Sequence, residues 1–222
     1  RLGANGFLIR GGIGHRPATA GGDALVTEYE RAFAGVLNYA TLPFYWGSYE
    51  PAADRERRGR LLAMAGWCRD HGIRAKGHPL AWHEVLPGWT ETLPDGEVLQ
   101  RLRQRITRLV GGFRGLVDSW DVINEATVSA SHANAVGRWV KERGAVACVA
   151  ETIALARAAN PRAELLYNDF NISPAFEDLA GALRAAGAPV DAIGIQSHMH
   201  KGAWPVAGLW EVREAVASLY NQ

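Results

Sequence analysis

Short apolar stretches alternate with amphipathic stretches six times along this chain of 222 residues. The predicted strands are residues 7–11, 36–40, 74–80, 120–125, 165–169 and 192–197. The stretches between them carry apolar side chains at helical spacing and end at residues such as Gly72 and Gly187. Strands that alternate with helices form parallel sheets, because the chain must cross back over the sheet before each new strand. The sequence therefore predicts a single α/β domain over residues 1–222, without an internal linker or repeat.

The fourth predicted strand ends in an amide and a carboxylate, Asn124 and Glu125. Alternation along the strand predicts that Asp121 and Glu125 share the face opposite to Trp120. Parallel α/β barrels place their catalytic groups at the carboxyl ends of the strands. Glu125 is therefore a candidate catalytic acid, although a carboxylate that caps the following helix has the same spacing.

Three motifs, in this order along the chain, resemble glycoside hydrolase family 10, the β-1,4-xylanase family. They are residues 77–83 (GHPLAWH) followed by 86–89 (LPGW), residues 120–126 (WDVINEA) and residues 191–198 (DAIGIQSH). A weaker match, residues 168–171 (NDFN), lies at the end of the fifth predicted strand. The resemblance implies a TIM (β/α)8-type barrel of which about six βα units are present, with strands seven and eight missing.

The resemblance implies a retaining O-glycoside hydrolase that cleaves β-1,4-xylan or a related β-glycoside and uses no cofactor. Glu125 matches the general acid/base of the family. The residues that match its substrate-binding wall are His78, Trp82, Asn124, Gln196 and His198. The residues expected to support that wall are His83, Asp121 and Asn168. Asp121 is expected to hold a histidine or an arginine in place.

The nucleophile of the family is a Glu in a Thr-Glu motif at the tip of strand seven, and no residue after His198 matches it. Glu211 and Glu214 lie on a predicted last helix that starts near Leu209. We therefore expect the nucleophile beyond Gln222, and we expect these 222 residues to be inactive alone. A non-catalytic carbohydrate-binding remnant is the alternative.

The second strand departs from the family pattern. There the family usually carries a Glu-Asn-x-x-Lys segment that binds sugar hydroxyls, whereas residues 38–46 here read NYATLPFYW. Val85 and Phe170 replace a Gln and a Tyr. Since buried hydroxyl-binding groups discriminate strongly between substrates, we predict a non-standard glycone pocket for a shortened, decorated or non-xylan glycoside. Alternatively, residues 44–46 form an aromatic platform for xylan itself.

Two further predictions come from the histidines. The family has an unusual cis peptide after the residue that matches His78, and Pro79 follows here, so we predict a cis His78–Pro79 bond. A metal-dependent barrel hydrolase is a weaker alternative, for which the potential ligands are His78, His83, Asp169, His198 and His200. Such barrels carry paired histidines on the first strand, which are absent here, so no metal is predicted.

Composition narrows the range of partners. The net charge is +1, and the arginines at 101, 103, 105 and 108 are interpreted as a solvated helix face, so no nucleic-acid partner is expected. No apolar run is long enough to cross a membrane.

Cys68 and Cys148 are predicted to be buried free thiols. The chain begins at Arg1, so we expect the natural N-terminus to be missing; a secreted or periplasmic location would follow if that part carried a signal peptide. The oligomeric state stays open.

Overall fold

The computed structural model describes residues 2–11, 22–171, 173–188 and 190–196. In this part of the chain, six parallel strands form one curled sheet whose order follows the sequence. The strands are Gly3–Asn5 (β1), Tyr39–Pro43 (β2), Arg74–His78 (β3), Ser119–Asn124 (β4), Glu164–Asp169 (β5) and Ala192–Ile195 (β6). The predicted α/β fold, a partial TIM-type barrel, is confirmed.

Helices connect the strands across the outer face of the sheet. They are Gly22–Val36 (α1), Trp46–Tyr49 (α2), Arg58–Asp70 (α3), Asp95–Gly112 (α4), Ala126–Ser129 (α5), Ala135–Arg143 (α6), Ala145–Ala159 (α7) and Pro174–Ala185 (α8), with short 3-10 turns at Ile9–Gly11 and Gly88–Thr92. Within the described ranges, no helix is long and apolar enough to cross a membrane. The predicted last helix after residue 208 lies outside the described residues.

The first strand does not lie where it was predicted. Residues 7–11 form a turn and a 3-10 helix, and β1 occupies Gly3–Asn5 instead. The backbone nitrogen of Leu2 donates to Asn38 Oδ1 at 3.0 Å, and this bond anchors the start of β1 beside β2. The apolar residues 7–11 contribute to the core instead of the sheet, because the fully buried Ile9 packs into the core. Apolar residues that end in the core need not form a strand, which is why hydrophobicity alone misplaced the element.

The second strand begins at Tyr39 rather than at residue 36, because α1 continues to Val36. Val36 itself is 67% exposed, so its side chain contributes little to the core. The pairing of β2 with β3 then runs over five residues, from Tyr39 opposite Arg74 to Pro43 opposite His78. This register aligns the carboxyl ends of the two strands at one edge of the sheet.

A close approach between β3 and β4 depends on a glycine. Gly77 pairs with Trp120, and a Cβ atom on Gly77 would lie 2.1 Å from the Trp120 ring. The buried Trp120 ring also packs edge-on against Phe44, with 4.8 Å between the ring centroids. Only glycine leaves room for this indole, so Gly77 fixes the spacing on the outer side of the sheet while its neighbours Lys76 and His78 face inward.

The prediction of a solvated arginine face is wrong for Arg105, which is only 1% exposed. Its guanidinium donates hydrogen bonds to the backbone carbonyl oxygens of Leu80 and Phe44. Burial lowers the pKa of Arg105 to about 10. The side chain thereby links α4 to the end of β2 and to the segment after β3, both of which border the cleft described below.

The two cysteines match their prediction. Cys68 on α3 and Cys148 on α7 are buried and free. Burial raises the pKa of both thiols to about 12, so they stay protonated and unreactive at neutral pH.

Candidate active site

A cleft of about 700 Å³ opens at the carboxyl ends of the strands. Its lining comes from the strands and from the segments that follow them: Asn5, Phe7, Thr41, Tyr45, Lys76, His78, Trp82, Glu84, Asn124, Glu125, Asn168, Phe170 and Gln196. Polar groups that converge in a concave site at this end of a parallel barrel mark it as the candidate active site.

Glu125 follows β4 and has a left-handed backbone conformation, with φ 57° and ψ 46°. A non-glycine residue in this region is strained, and such strain concentrates at functional sites. The Glu125 side chain receives one hydrogen bond on each oxygen: Trp82 Nε1 donates to Oε2 at 3.0 Å, and Gln196 Nε2 donates to Oε1 at 2.8 Å. These two donors fix the carboxyl group at the wall of the cleft, where it is 9% exposed.

A β-bulge brings Asn124 into the same site. Asp121 pairs with Leu166 and Asn124 pairs with Asn168. Between these two pairs, β4 advances by three residues and β5 by two. Strict alternation along β4 would direct Asn124 away from Asp121, whereas the family resemblance places Asn124 in the substrate-binding wall. The extra residue of the bulge turns the end of β4 so that Asn124 and Glu125 both line the cleft.

Three amide side chains form a connected group beside Glu125. Asn124 Oδ1 accepts hydrogen bonds from Asn168 Nδ2 at 2.6 Å and from Gln196 Nε2 at 3.1 Å. Both donors orient the Asn124 amide so that its oxygen points into the group. Its Nδ2 forms no hydrogen bond with another described residue, and it is therefore available to a hydroxyl in the cleft.

Lower in the cleft, Asp121 holds two cationic or basic groups. Its Oδ2 lies 2.7 Å from Lys76 Nζ and 2.7 Å from His78 Nδ1, and the carboxylate is fully buried. Since a carboxylate only accepts, His78 donates from Nδ1 and directs Nε2 toward the cleft. The expected contact between Asp121 and a histidine is present. The second partner is Lys76, which the sequence analysis did not identify although it lies two residues before His78 on the same face.

His83 lies behind Glu125 rather than in the cleft. The Ser129 hydroxyl donates to the carbonyl oxygen of Glu125 at 3.0 Å, so it must accept from His83 Nδ1, which lies 2.7 Å away. This bond fixes the tautomer with the proton on Nδ1 and leaves a lone pair on Nε2, 3.9 Å from Glu125 Oε2. Burial, reinforced by the nearby His132, lowers the pKa of His83 to about 4, so the imidazole is neutral at pH 7.

Of the aromatic run at residues 44–46, only Tyr45 enters the cleft. Phe44 is fully buried, and Trp46 is 6% exposed and donates from Nε1 to Glu50. The Tyr45 ring lies 5.7 Å from Trp82 and 5.5 Å from His78, measured between centroids. Burial and then the charges of Glu125 and Asp121 raise the pKa of Tyr45 to about 12. The three-residue platform suggested by the sequence is therefore wrong; the cleft instead uses Tyr45.

Trp82 reaches the site from the segment that follows β3. The third strand ends at His78, and the predicted cis bond to Pro79 is confirmed. Trp82 therefore lies in the segment after β3 rather than on the strand. Its ring centroid is 6.3 Å from that of His78, so the two side chains still share one wall.

Among the described residues, the members of the ligand set of the metal-dependent alternative, His78, His83 and Asp169, do not come together. His78 is bound to Asp121, and Asp169 is fully buried and accepts from Thr127 Oγ1 at 2.8 Å. His198 and His200 lie outside the described residues. In the described part of the chain, the group of side chains close enough for a common ion is His83, Glu84 and His132.

Comparison with known proteins places this geometry in a family. The family model described as glycosyl hydrolase family 10 matches residues 44–221. The chain belongs to glycosyl hydrolase family 10. Residues 44–221 include the cleft from Tyr45 to Gln196, whereas Asn5, Phe7 and Thr41 come from segments before the match.

Xylanases are among the relatives of this family 10 chain. It is 37% identical over 162 residues to endo-1,4-beta-xylanase B of Thermotoga neapolitana, covering 69% of this chain and 46% of that protein. It is 33% identical over 149 residues to a beta-1,4-xylanase of Dictyoglomus thermophilum, covering 64% of this chain and 41% of that protein. The chain thus spans less than half of the length of either relative.

Solved family 10 structures share the fold. Native xylanase 10B of Thermotoga maritima superposes with a TM-score of 0.76 at 25% identity, over 98% of this chain and 66% of that one. Xylanase 10B of Thermotoga petrophila, solved in complex with xylobiose, superposes with a TM-score of 0.75 at 23% identity, over 98% of this chain and 65% of that one.

Proposed function

We propose that the protein is a retaining O-glycoside hydrolase that acts on β-1,4-xylan or a related β-glycoside, with Glu125 as its general acid/base. The observation that carries this proposal is the setting of Glu125. Its carboxyl group stands at the carboxyl end of β4 on a strained backbone, and Trp82 and Gln196 each donate to one of its oxygens. Membership of family 10 and the names of the xylanase relatives support the same reaction class.

In the proposed reaction, Glu125 protonates the oxygen of the leaving sugar while a second carboxylate attacks the anomeric carbon. Glu125 then removes a proton from the water that releases the glycosyl group. The second carboxylate is the Glu that we expect beyond Gln222. The low pKa of His83 keeps that imidazole neutral near pH 7, so the imidazole places no positive charge beside the Glu125 carboxyl group.

We assign sugar binding to the side chains around Glu125. The Nδ2 of Asn124, which forms no hydrogen bond with another described residue, is suited to donate to a sugar hydroxyl. This interaction strengthens in the transition state when the hydroxyl is on carbon 2. His78 presents Nε2 to a second hydroxyl, because Asp121 occupies its Nδ1. The Trp82 side chain packs under the sugar ring. His198, which matches the same family wall, is proposed to complete it.

The glycone pocket is proposed to differ from that of a standard xylanase. Aromatic side chains at Phe7, Tyr45 and Phe170 line the cleft, and Phe170 is 51% exposed. Besides His78, the polar groups in the cleft near the first three strands come from Asn5, Thr41 and Lys76 instead of a Glu-Asn-x-x-Lys segment. This exchange of hydrogen-bonding groups favours a shortened, decorated or non-xylan glycone.

The experiment uses the protein expressed from its complete gene. Release of reducing sugar is measured on plain xylan, on arabinose- or glucuronate-decorated xylan and on other β-1,4-glycans. The matched variants are Glu125→Gln and Glu142→Gln, the second being an exposed carboxylate on α6. Loss of general acid catalysis should lower kcat by about 10²–10⁴-fold in Glu125→Gln and leave Glu142→Gln unchanged.

Each part of the proposal has its own contradicting result. Binding of oligosaccharide without turnover by the wild-type protein would show a carbohydrate-binding remnant. Turnover that Glu125→Gln leaves intact would remove Glu125 from the mechanism. Plain xylan as the best substrate, with ordinary dependence on chain length, would contradict the altered glycone pocket.

A further inference from the structure

Two histidines and a glutamate meet beside the cleft, on the loops that follow β3 and α5. One ligand atom from each of His83, Glu84 and His132 lies within 4.8 Å of the other two. Neither the xylanase motifs nor the proposed hydrolysis uses Glu84 or His132. We propose that these three side chains bind a divalent transition-metal ion, with Zn²⁺ as the expected ion.

The hydrogen bonds of His83 prepare it for this role. Its Nδ1–H donates a hydrogen bond to Ser129 Oγ, and the Ser129 hydroxyl donates a hydrogen bond to the carbonyl oxygen of Glu125. The lone pair therefore stands on Nε2, the atom that a metal would bind. Histidines that bind metals almost always donate their second ring nitrogen in this way, which fixes both the tautomer and the ring orientation.

His132 shows the same arrangement on the neighbouring loop. The Ser131 hydroxyl donates to the carbonyl oxygen of Val128 at 2.8 Å, so it can only accept from His132 Nδ1, which lies 3.4 Å away. The lone pair of His132 is thus also on Nε2, and this atom lies 4.0 Å from Glu84 Oε1. Two imidazole nitrogens and one carboxylate oxygen are a ligand set that zinc accepts, with its fourth position open to water.

The loops that carry these ligands are tied together before any ion binds. Asn134 Nδ2 donates to the carbonyl oxygen of His83 at 2.7 Å, while Asn134 Oδ1 caps α6 by accepting from the nitrogen of Gly137 at 3.0 Å. The His83 and His132 rings already lie 3.7 Å apart between centroids, at 35° to each other. The backbone on both sides of the site is therefore held in place.

Only small side-chain movements separate this arrangement from a coordination shell. Zinc–ligand bonds of about 2.0–2.2 Å put neighbouring ligand atoms about 3.3 Å apart in a tetrahedron. The side chain of His83 is 1% exposed and serves as the fixed ligand. His132 and Glu84 have side chains 32% and 54% exposed, so both can rotate toward the ion without disturbing the core.

The test measures zinc binding directly, independently of any hydrolysis. The protein from the complete gene is stripped with chelator and titrated with Zn²⁺ in a calorimeter, and its Tm is recorded with and without the ion. The variants are His132→Gln and Glu84→Gln, both at accessible positions, with His71→Gln as the control. His71 directly follows the last residue of α3 and stacks on Trp67 at 4.2 Å between centroids.

We expect one Zn²⁺ per chain and a Tm that rises with zinc concentration, since the ion binds the folded state. Loss of a supporting partner costs metal sites about 10–100-fold in affinity, so each ligand variant should lose at least that much. His71→Gln should bind as the wild type does. No zinc binding by the wild type, or equal affinity in His132→Gln and His71→Gln, would overturn the proposal.

Discussion

At the scale of single residues, the cleft depends on one buried carboxylate with two partners. Asp121 Oδ2 holds both Lys76 and His78 at 2.7 Å. Alternation along β3 puts Lys76 and His78 on one face, so this part of the site could be predicted from the sequence. The partner of Asp121 could not be chosen from the sequence alone, because only the register of β3 against β4 shows which residues are opposite each other.

Asp121→Asn should lower the free energy of unfolding by about 3 kcal/mol, because it leaves the Lys76 ammonium in the sheet interior without a counter-charge. The Lys76 side chain is 12% exposed. Asp70→Asn is the control, since Asp70 pairs with Arg69 on the surface and contributes about 0–1 kcal/mol. Urea denaturation of both variants measures the difference. Equal costs for the two would show that the Asp121 pair is solvated.

The neutral state of His83 predicts a pH dependence of stability. Its pKa of about 4 in the folded protein lies below the usual value of 6.5. As the pH falls through this window, the unfolded chain takes up a proton before the folded chain does, so stability is lost on acidification. The loss should be on the order of 2–3 kcal/mol, at about 1.4 kcal/mol for each pKa unit.

The measurement compares wild type with His83→Gln, with chelator present, by urea denaturation at several pH values between about 7 and about 4. The wild type should lose stability more steeply on acidification than the variant. Parallel curves would mean that His83 becomes protonated in the folded state as readily as in the unfolded state.

At the scale of elements, the strands that carry the site motifs were predicted within a few residues, and those near the N-terminus were not. The fourth and fifth strands are short, apolar and bounded by helices, which leaves little choice of position. The bulge in β4 was not predictable, because nothing in residues 119–124 distinguishes a regular strand from a bulged one. The placement of Tyr45 in the cleft likewise depends on α2, a helix of four residues that starts at Trp46.

Arg105 shows why a helical pattern can mislead about exposure. It lies among other arginines on α4, yet its guanidinium enters the core and binds the carbonyl oxygens of Phe44 and Leu80. Phe44 precedes Tyr45, and Leu80 is two residues before Trp82. The buried arginine therefore supports the backbone of the two segments that carry Tyr45 and Trp82, two of the aromatic residues of the cleft.

Arg105→Met should lower the free energy of unfolding by about 2–5 kcal/mol, because two buried carbonyl oxygens lose charged donors. Arg108→Met is the matched control on the same helix. Arg108 has a side chain 45% exposed and pairs with Glu56, so its loss should cost about 0–1 kcal/mol. Denaturation with urea gives both values. A cost for Arg105→Met no larger than that of Arg108→Met would contradict the structural role.

At the scale of the whole molecule, strand order follows from the sequence because consecutive parallel strands joined by helices pair as neighbours. The convergence of Asn124, Glu125, Asn168 and Gln196 follows in turn, since the strands end at one edge of the sheet. Similarity to family 10 motifs named all four of these residues. It did not reveal the group of His83, Glu84 and His132, which arises only when the loops after β3 and α5 meet.

The most direct test of the account concerns the role of Glu125 as the acid. The protein from the complete gene and its Glu125→Ala variant are compared on aryl β-glycosides of the preferred glycone, with leaving groups from dinitrophenol to unactivated sugar. A good leaving group departs without a proton, whereas a sugar alcohol needs one. The value of kcat/KM reports the step in which the leaving group departs.

We predict that Glu125→Ala lowers kcat/KM by about 10²–10⁴-fold for the sugar leaving group and far less for dinitrophenol. Added azide should restore turnover of the activated substrate, because a small anion occupies the space of the missing carboxylate and needs no general base. An equal loss for all leaving groups would contradict the acid/base assignment and make Glu125 a structural carboxylate.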